Sequence, residues 1–149
     1  MKTNHDKPLI FYCADLGTYL QLDFIEGNIF AGFPNPADNY IEQSIDLNRE
    51  LIKHPANTFF ARVCGNSLID AGVEEGDLLI IDKSMEPSDG DMIVAFIDGD
   101  FTLKFVHKDN HSDFIWLKPA NDAYPPIKVL PDNNFIVWGV VTYTIKRRK

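Results

Sequence analysis

Past Pro55 the chain is a succession of short runs of β-branched and aromatic residues, each stopped by Asp, Gly, Asn or Pro. That punctuation constrains the fold more than any other feature. It predicts strands over 57–63, 77–82, 92–97, 101–107, 114–118 and 135–145, with the Asp-Leu-Leu-Ile-Ile-Asp run of 77–82 too apolar for an exposed face and therefore buried. Asp98-Gly99 between two of these runs supplies the positive φ that a tight hairpin turn requires. The expected fold is mainly β, a highly twisted antiparallel sheet or partial barrel with one or two short helices, and the spacing does not suit a parallel α/β sheet.

The length of 149 residues and 45% apolar composition allow one domain with a real core plus an arm. A formal charge of −8 opposes binding to nucleic acid phosphates, so no direct DNA binding is expected. The basic Lys146-Arg147-Arg148-Lys149 tail reads as a solvated terminus. Cys13 and Cys64 form neither a CxxC pair nor a zinc spacing, which points to a reducing, cytoplasmic setting with no metal and no cofactor. The apolar run of residues 9–14 is far shorter than the roughly 20 residues that span a bilayer, so neither membrane association nor export is expected. The acidic loops at 74–77 and 88–91 each contain Gly, but lack the ligand count and closing Glu of a calcium loop and read as turns.

Residues 1–36 read as an extended arm ending in Phe30-Ala31-Gly32-Phe33-Pro34-Asn35-Pro36, where Gly and two prolines forbid regular helix. Residues 37–149 form the remaining β-rich domain, with a short helix expected over 37–43 and another turn over 47–52 before the His54-Pro55 break. Within it, Gly65-Asn66-Ser67-Leu68 follows a strand and presents Ser67 at a sharp exit, where glycine allows close approach of a substrate. Ser67 is thus a candidate nucleophile, although Gly-Asn-Ser is also ordinary turn composition.

A serine nucleophile needs a base, and His5, His54, His107 and His111 stand in no hydrolase context. His107 and His111 are four apart, but Lys108-Asp109-Asn110 between them reads as a turn and not as a metal-binding helix. Lysine serves instead if burial keeps it neutral. In the strand around Lys104, alternation sets Phe101, Leu103 and Phe105 on one face and Thr102, Lys104 and Val106 on the other. A face lining a cleft against Ser67 would make Lys104 a general base; a solvated face would make it an ordinary strand lysine. The residues alone leave both readings open.

The order of the parts adds information. An Ala31-Gly32 bond, Gly32-Phe33-Pro34, Tyr40, Glu42-Gln43, Ile45-Asp46-Leu47-Asn48, His54-Pro55, Gly65-Asn66-Ser67-Leu68, Gly76 to Asp82, Asp98 to Lys104 and Asn121 to Tyr124 succeed one another from about residue 30 to 141. The succession resembles the LexA-like self-cleaving serine peptidases, in particular their UmuD-like branch. The resemblance implies a LexA-like peptidase domain, Ser67 as nucleophile, Lys104 as general base and Ala31-Gly32 as the scissile bond. It implies a homodimer whose self-cleavage is stimulated by a RecA nucleoprotein filament and which then joins a UmuC-type DNA polymerase in error-prone bypass of damage during the SOS response. The helix-turn-helix domain that LexA carries ahead of its cleavage site has no counterpart in the thirty or so arm residues, so repression is not implied. Two positions depart from the pattern: the family has Gly-Asp-Ser-Met where this chain has Gly65-Asn66-Ser67-Leu68, and UmuD-like members have Cys-Gly where it has Ala31-Gly32. A non-catalytic dimeric subunit of a polymerase complex is the alternative that the Asn66 departure keeps in view.

Overall fold

The alternating runs fold as strands of one antiparallel sheet in a computed structural model that describes residues 9–13, 21–25 and 41–149, with side chains from residue 45 onward. Ala31, Gly32, the 30–36 segment, His5 and the first four residues of the helix expected over 37–43 lie outside the described residues. In chain order the elements are β1 (Leu9–Cys13), β2 (Gln21–Ile25), β3 (Ile41–Asp46), α1 (Leu47–Leu51), β4 (Thr58–Val63), β5 (Leu78–Asp82), β6 (Met92–Ile97), β7 (Asp100–Lys108), β8 (Ile115–Lys118), β9 (Ile127–Val129) and β10 (Phe135–Ile145). Single 3₁₀ turns occupy Pro55–Asn57 and Ile69–Ala71.

The chain forms two compact units, one of residues 15–55 and one of residues 1–14 with 56–149. In the smaller, β2 pairs antiparallel with β3, and Asp46 caps α1 by accepting from the Asn48 amide at 3.0 Å. Residues 41–43 are therefore strand and not the helix expected there: Ile41 and Ile45 fit a helical spacing as well as a strand, and the partner strand decides. The turn expected over 47–52 is α1, closed where the Ile52 amide donates to Asn48 O at 3.0 Å.

In the larger unit the strand order is β1-β4-β5-β10-β6-β7-β8-β9. The Asp98-Gly99 hairpin joins β6 to β7 with Ile97 opposite Asp100, and both turn residues have positive φ, 48° and 94°. Asp98, which lacks glycine's freedom, is held there by amide donation from Asn134 to its Oδ1 at 2.9 Å and by the Asn133 side chain on its Oδ2. The acidic loops are turns as expected: Asp77 Oδ2 accepts from the Glu74 amide at 2.9 Å and Asp91 Oδ2 from the Ser88 amide at 2.8 Å.

Strand β10 sits between β5 and β6 and shifts register against each, between Val137 and Gly139 and between Val141 and Tyr143. Such irregularities bend and twist a strand, which lets one sheet enclose two apolar clusters. Ala61, Val63, Leu68, Leu79, Ile81, Val94 and Leu103 pack in one, and Ile93, Ala95, Val106, Leu117 and Val140 in the other. Ile93, Val94 and Ala95 are all fully buried, so β6 is covered on both faces. At Gly139 a side chain is excluded, since a Cβ would lie 2.5 Å from Ile81 Cγ2. No helix among the described residues is long and apolar enough to cross a membrane.

Candidate active site

Ser67 lies on the loop that leaves β4. The strand's end is fixed against the following turn, with the Val63 amide donating to Asp77 O at 2.9 Å and the Gly76 amide to Val63 O at 2.8 Å. Gly65 then takes φ of 94°, a left-handed conformation that turns the chain out of the sheet. Beyond Ser67, Leu68 inserts into the core at 2% exposure and anchors the 3₁₀ turn that follows. The Ser67 loop is thus held at its entry by a ladder and at its exit by a buried side chain.

A second segment, 120–124, straps the loop from the side. The Ala120 amide donates to Ser67 O and the Asp70 amide to Ala120 O, each at 2.8 Å. Asn121 Nδ2 donates to Asn66 O at 2.9 Å, and the Tyr124 hydroxyl donates to Asn66 Oδ1 at 2.8 Å. The Asn66 side chain is therefore engaged as an acceptor, a role that an aspartate would fill equally well.

Lys104 reaches this loop from the middle of β7, opposite Ile93 of β6. Its side chain is 7% exposed, and its Nζ lies 3.1 Å from Ser67 Oγ, 2.9 Å from Thr102 Oγ1 and 3.1 Å from Leu103 O. Burial lowers its pKa from 10.5 to about 8, because a desolvated ammonium is disfavoured relative to the amine. Nζ donates to all three oxygens, as the three N–H groups of an ammonium can; once the proton is lost, two N–H donors remain for Thr102 Oγ1 and Leu103 O and the lone pair is free to face the Ser67 hydroxyl. Thr102, two residues away on the same face of β7, orients the lysine; the strand alternation carried that signal, and the sequence reading gave it no role.

Beside Ser67 opens a narrow hollow of about 10 Å³, walled by Val63, Leu68, Val73 and Leu103. Space of that size is at the lower limit for one water. His107 is directed elsewhere, its Nδ1 lying 3.2 Å from Asp89 Oδ1. Of the residues singled out from the sequence, Ser67 and Lys104 are brought together, while Ala31 and Gly32 lie outside the described residues. The arrangement pairs a half-buried hydroxyl with an amine that is partly neutral near physiological pH, the requirement for a Ser/Lys nucleophile and base.

Comparison with known proteins agrees with the fold. The Peptidase S24-like family pattern matches residues 23–142. ImpA of Escherichia coli is 43% identical over 119 residues, covering 80% of this chain and 79% of that protein. MucA of Escherichia coli is 34% identical over 137 residues, 91% of this chain and 92% of its own length. The LexA repressor of Clostridium perfringens is 38% identical over 105 residues, which are 70% of this chain and 51% of the repressor. The chain belongs to the Peptidase S24-like family, and within it to the UmuD-like relatives of LexA.

Proposed function

We propose that the chain is a self-cleaving serine peptidase in which Ser67 is the nucleophile, Lys104 the general base and Ala31-Gly32 the bond cut. The supporting observation is the 3.1 Å approach of a buried Lys104 Nζ to Ser67 Oγ. As Oγ bonds to the Ala31 carbonyl carbon, the Nζ lone pair takes the hydroxyl proton. The tetrahedral adduct places its negative oxygen against backbone amides of the nucleophile loop. Its collapse breaks the carbon–nitrogen bond, and Nζ delivers the proton to the departing Gly32 nitrogen. Lys104 then takes a proton from water, which attacks the ester and restores Ser67.

The chemistry is the same whether the bond comes from the same chain or from a second copy. Tethering raises the local concentration of the bond, which makes its access to Ser67 a natural point of control.

The UmuD-like membership supports a place in SOS mutagenesis: a cytoplasmic homodimer of residues 37–149 bearing arms of residues 1–36. Its cleavage would be stimulated by a RecA nucleoprotein filament, and the processed dimer would join a UmuC-type DNA polymerase for translesion synthesis. Incubation of the purified chain at alkaline pH, followed by intact mass measurement, tests the chemistry. The expected result is two fragments meeting at Ala31-Gly32, and a single unchanged mass for Ser67→Ala and Lys104→Ala. A boundary elsewhere overturns the mechanism, and an intact wild-type chain overturns it and leaves a non-catalytic dimeric subunit.

A further inference from the structure

Strand β1 is the outermost strand of the larger sheet on its β4 side. All five of its residues are paired, from Leu9 opposite Val63 to Cys13 opposite Phe59. Strand β2 is likewise paired along its length with β3, from Gln21 opposite Asp46 to Ile25 opposite Ile41. The Ala31-Gly32 bond falls between β2 and β3 in the sequence. Each described strand of the piece ahead of that bond therefore has its partner on the far side of it. Opening the bond breaks no ladder hydrogen bond among the described residues.

Without β1, the outer edge of β4 would present unpaired amides and carbonyls. That edge reads Thr-Phe-Phe-Ala-Arg-Val, with no proline and a single charge at Arg62, and it lacks the features that keep edge strands from recruiting another chain. An edge of this kind takes one extended antiparallel strand by main-chain hydrogen bonds.

We infer that the β4 edge is a strand-docking site whose resident occupant is residues 9–13, and that residues 1–31 stay bound there after the Ala31-Gly32 bond is cut. The inference rests on the cleavage reading only for the position of the cut. Cleavage converts an intramolecular pairing into a two-chain complex, so the arm leaves in a separate step that depends on dilution or on a competing strand. The protein is then processed before its β4 edge is bare.

The test uses the full chain carrying Ser67→Ala, with the recognition sequence of a site-specific protease replacing residues 29–33. An external enzyme opens the bond, so the outcome does not depend on self-cleavage, whose failure would be seen separately by mass. The expected result is co-elution of the two pieces on native size exclusion, their separation in denaturant, and unchanged slow amide exchange across β4. Amide directions alternate along an antiparallel strand, so Ile10→Pro with Phe11→Pro removes at least one donor aimed at β4. In that variant β4 exchange accelerates, even where the β2–β3 pairing still retains the small piece. Immediate separation of the unsubstituted pieces overturns the inference, as does β4 exchange that stays slow in the piece carrying both prolines.

Discussion

Replacing Lys104 with methionine, a side chain of similar length without charge, should abolish cleavage and at the same time stabilise the fold below about pH 8. The magnitude follows from the lowered pKa. A drop from 10.5 to about 8, at about 1.4 kcal/mol per tenfold change in proton affinity, makes burial of the ammonium cost about 3 kcal/mol. Below about pH 8 both the folded and the unfolded chain hold the proton, and the fold bears the whole cost. Between about 8 and 10.5 the unfolded chain keeps a proton that the folded chain has released, so stability rises with pH; above 10.5 the cost has gone. The contacts to Thr102 and Leu103 that methionine loses contribute about 1 kcal/mol each and vary less with pH. The assay is urea denaturation of Ser67→Ala and of Ser67→Ala/Lys104→Met at a series of pH values, the serine change preventing self-cleavage and common titrations cancelling in the difference. The stability gap should close by about 3 kcal/mol from pH 7 to pH 11. A gap that stays constant across that range would refute the claim that Lys104 is buried at the expense of its charge.

Substitutions at three further positions probe the frame around the site. Thr102→Val removes one acceptor of the Lys104 amine and should slow cleavage about tenfold and lower stability by about 1 kcal/mol in urea titration, and Thr102→Ser should restore both. Asn66→Asp keeps an acceptor for the Tyr124 hydroxyl but adds a negative charge beside Ser67; it should favour the Lys104 ammonium and move the pH midpoint of cleavage upward, as fragment yields across pH will read. Gly139→Ala forces a Cβ to within 2.5 Å of Ile81 Cγ2 and should lower stability by about 2 kcal/mol in urea titration, without moving the pH midpoint of whatever cleavage remains.

The strands after Pro55 are legible because their signals are local: apolar runs, alternation and turn residues with a stated φ requirement. Of these, Asp98-Gly99 is the clearest, since the positive φ that the dipeptide allows is the conformation adopted. Strand β9 escapes because Ile127-Lys128-Val129 is brief and set among Pro125, Pro126 and Pro131, and only pairing with β8 makes it a strand. The pairings of β1, β2 and β3 are equally hidden, since β1 meets a partner about fifty residues further on and its own composition names none. The burial of Lys104 is of the same kind. Alternation places it with Thr102 and Val106, but whether that face is wet or dry depends on how β7 lies against the loop from β4. The succession of motifs along the chain supplied what local pattern could not, and Thr102, Asn121 and Tyr124 gained roles only from hydrogen bonds.

The most direct test of the account is the rate of conversion of the full chain into fragments 1–31 and 32–149, followed by mass from pH 6 to pH 10. If neutral Lys104 is the base, the rate rises roughly tenfold per pH unit at the acid end and levels off near its pKa of about 8. A rate indifferent to pH, or one that levels off near the pKa of about 6.5 typical of histidine, would contradict it.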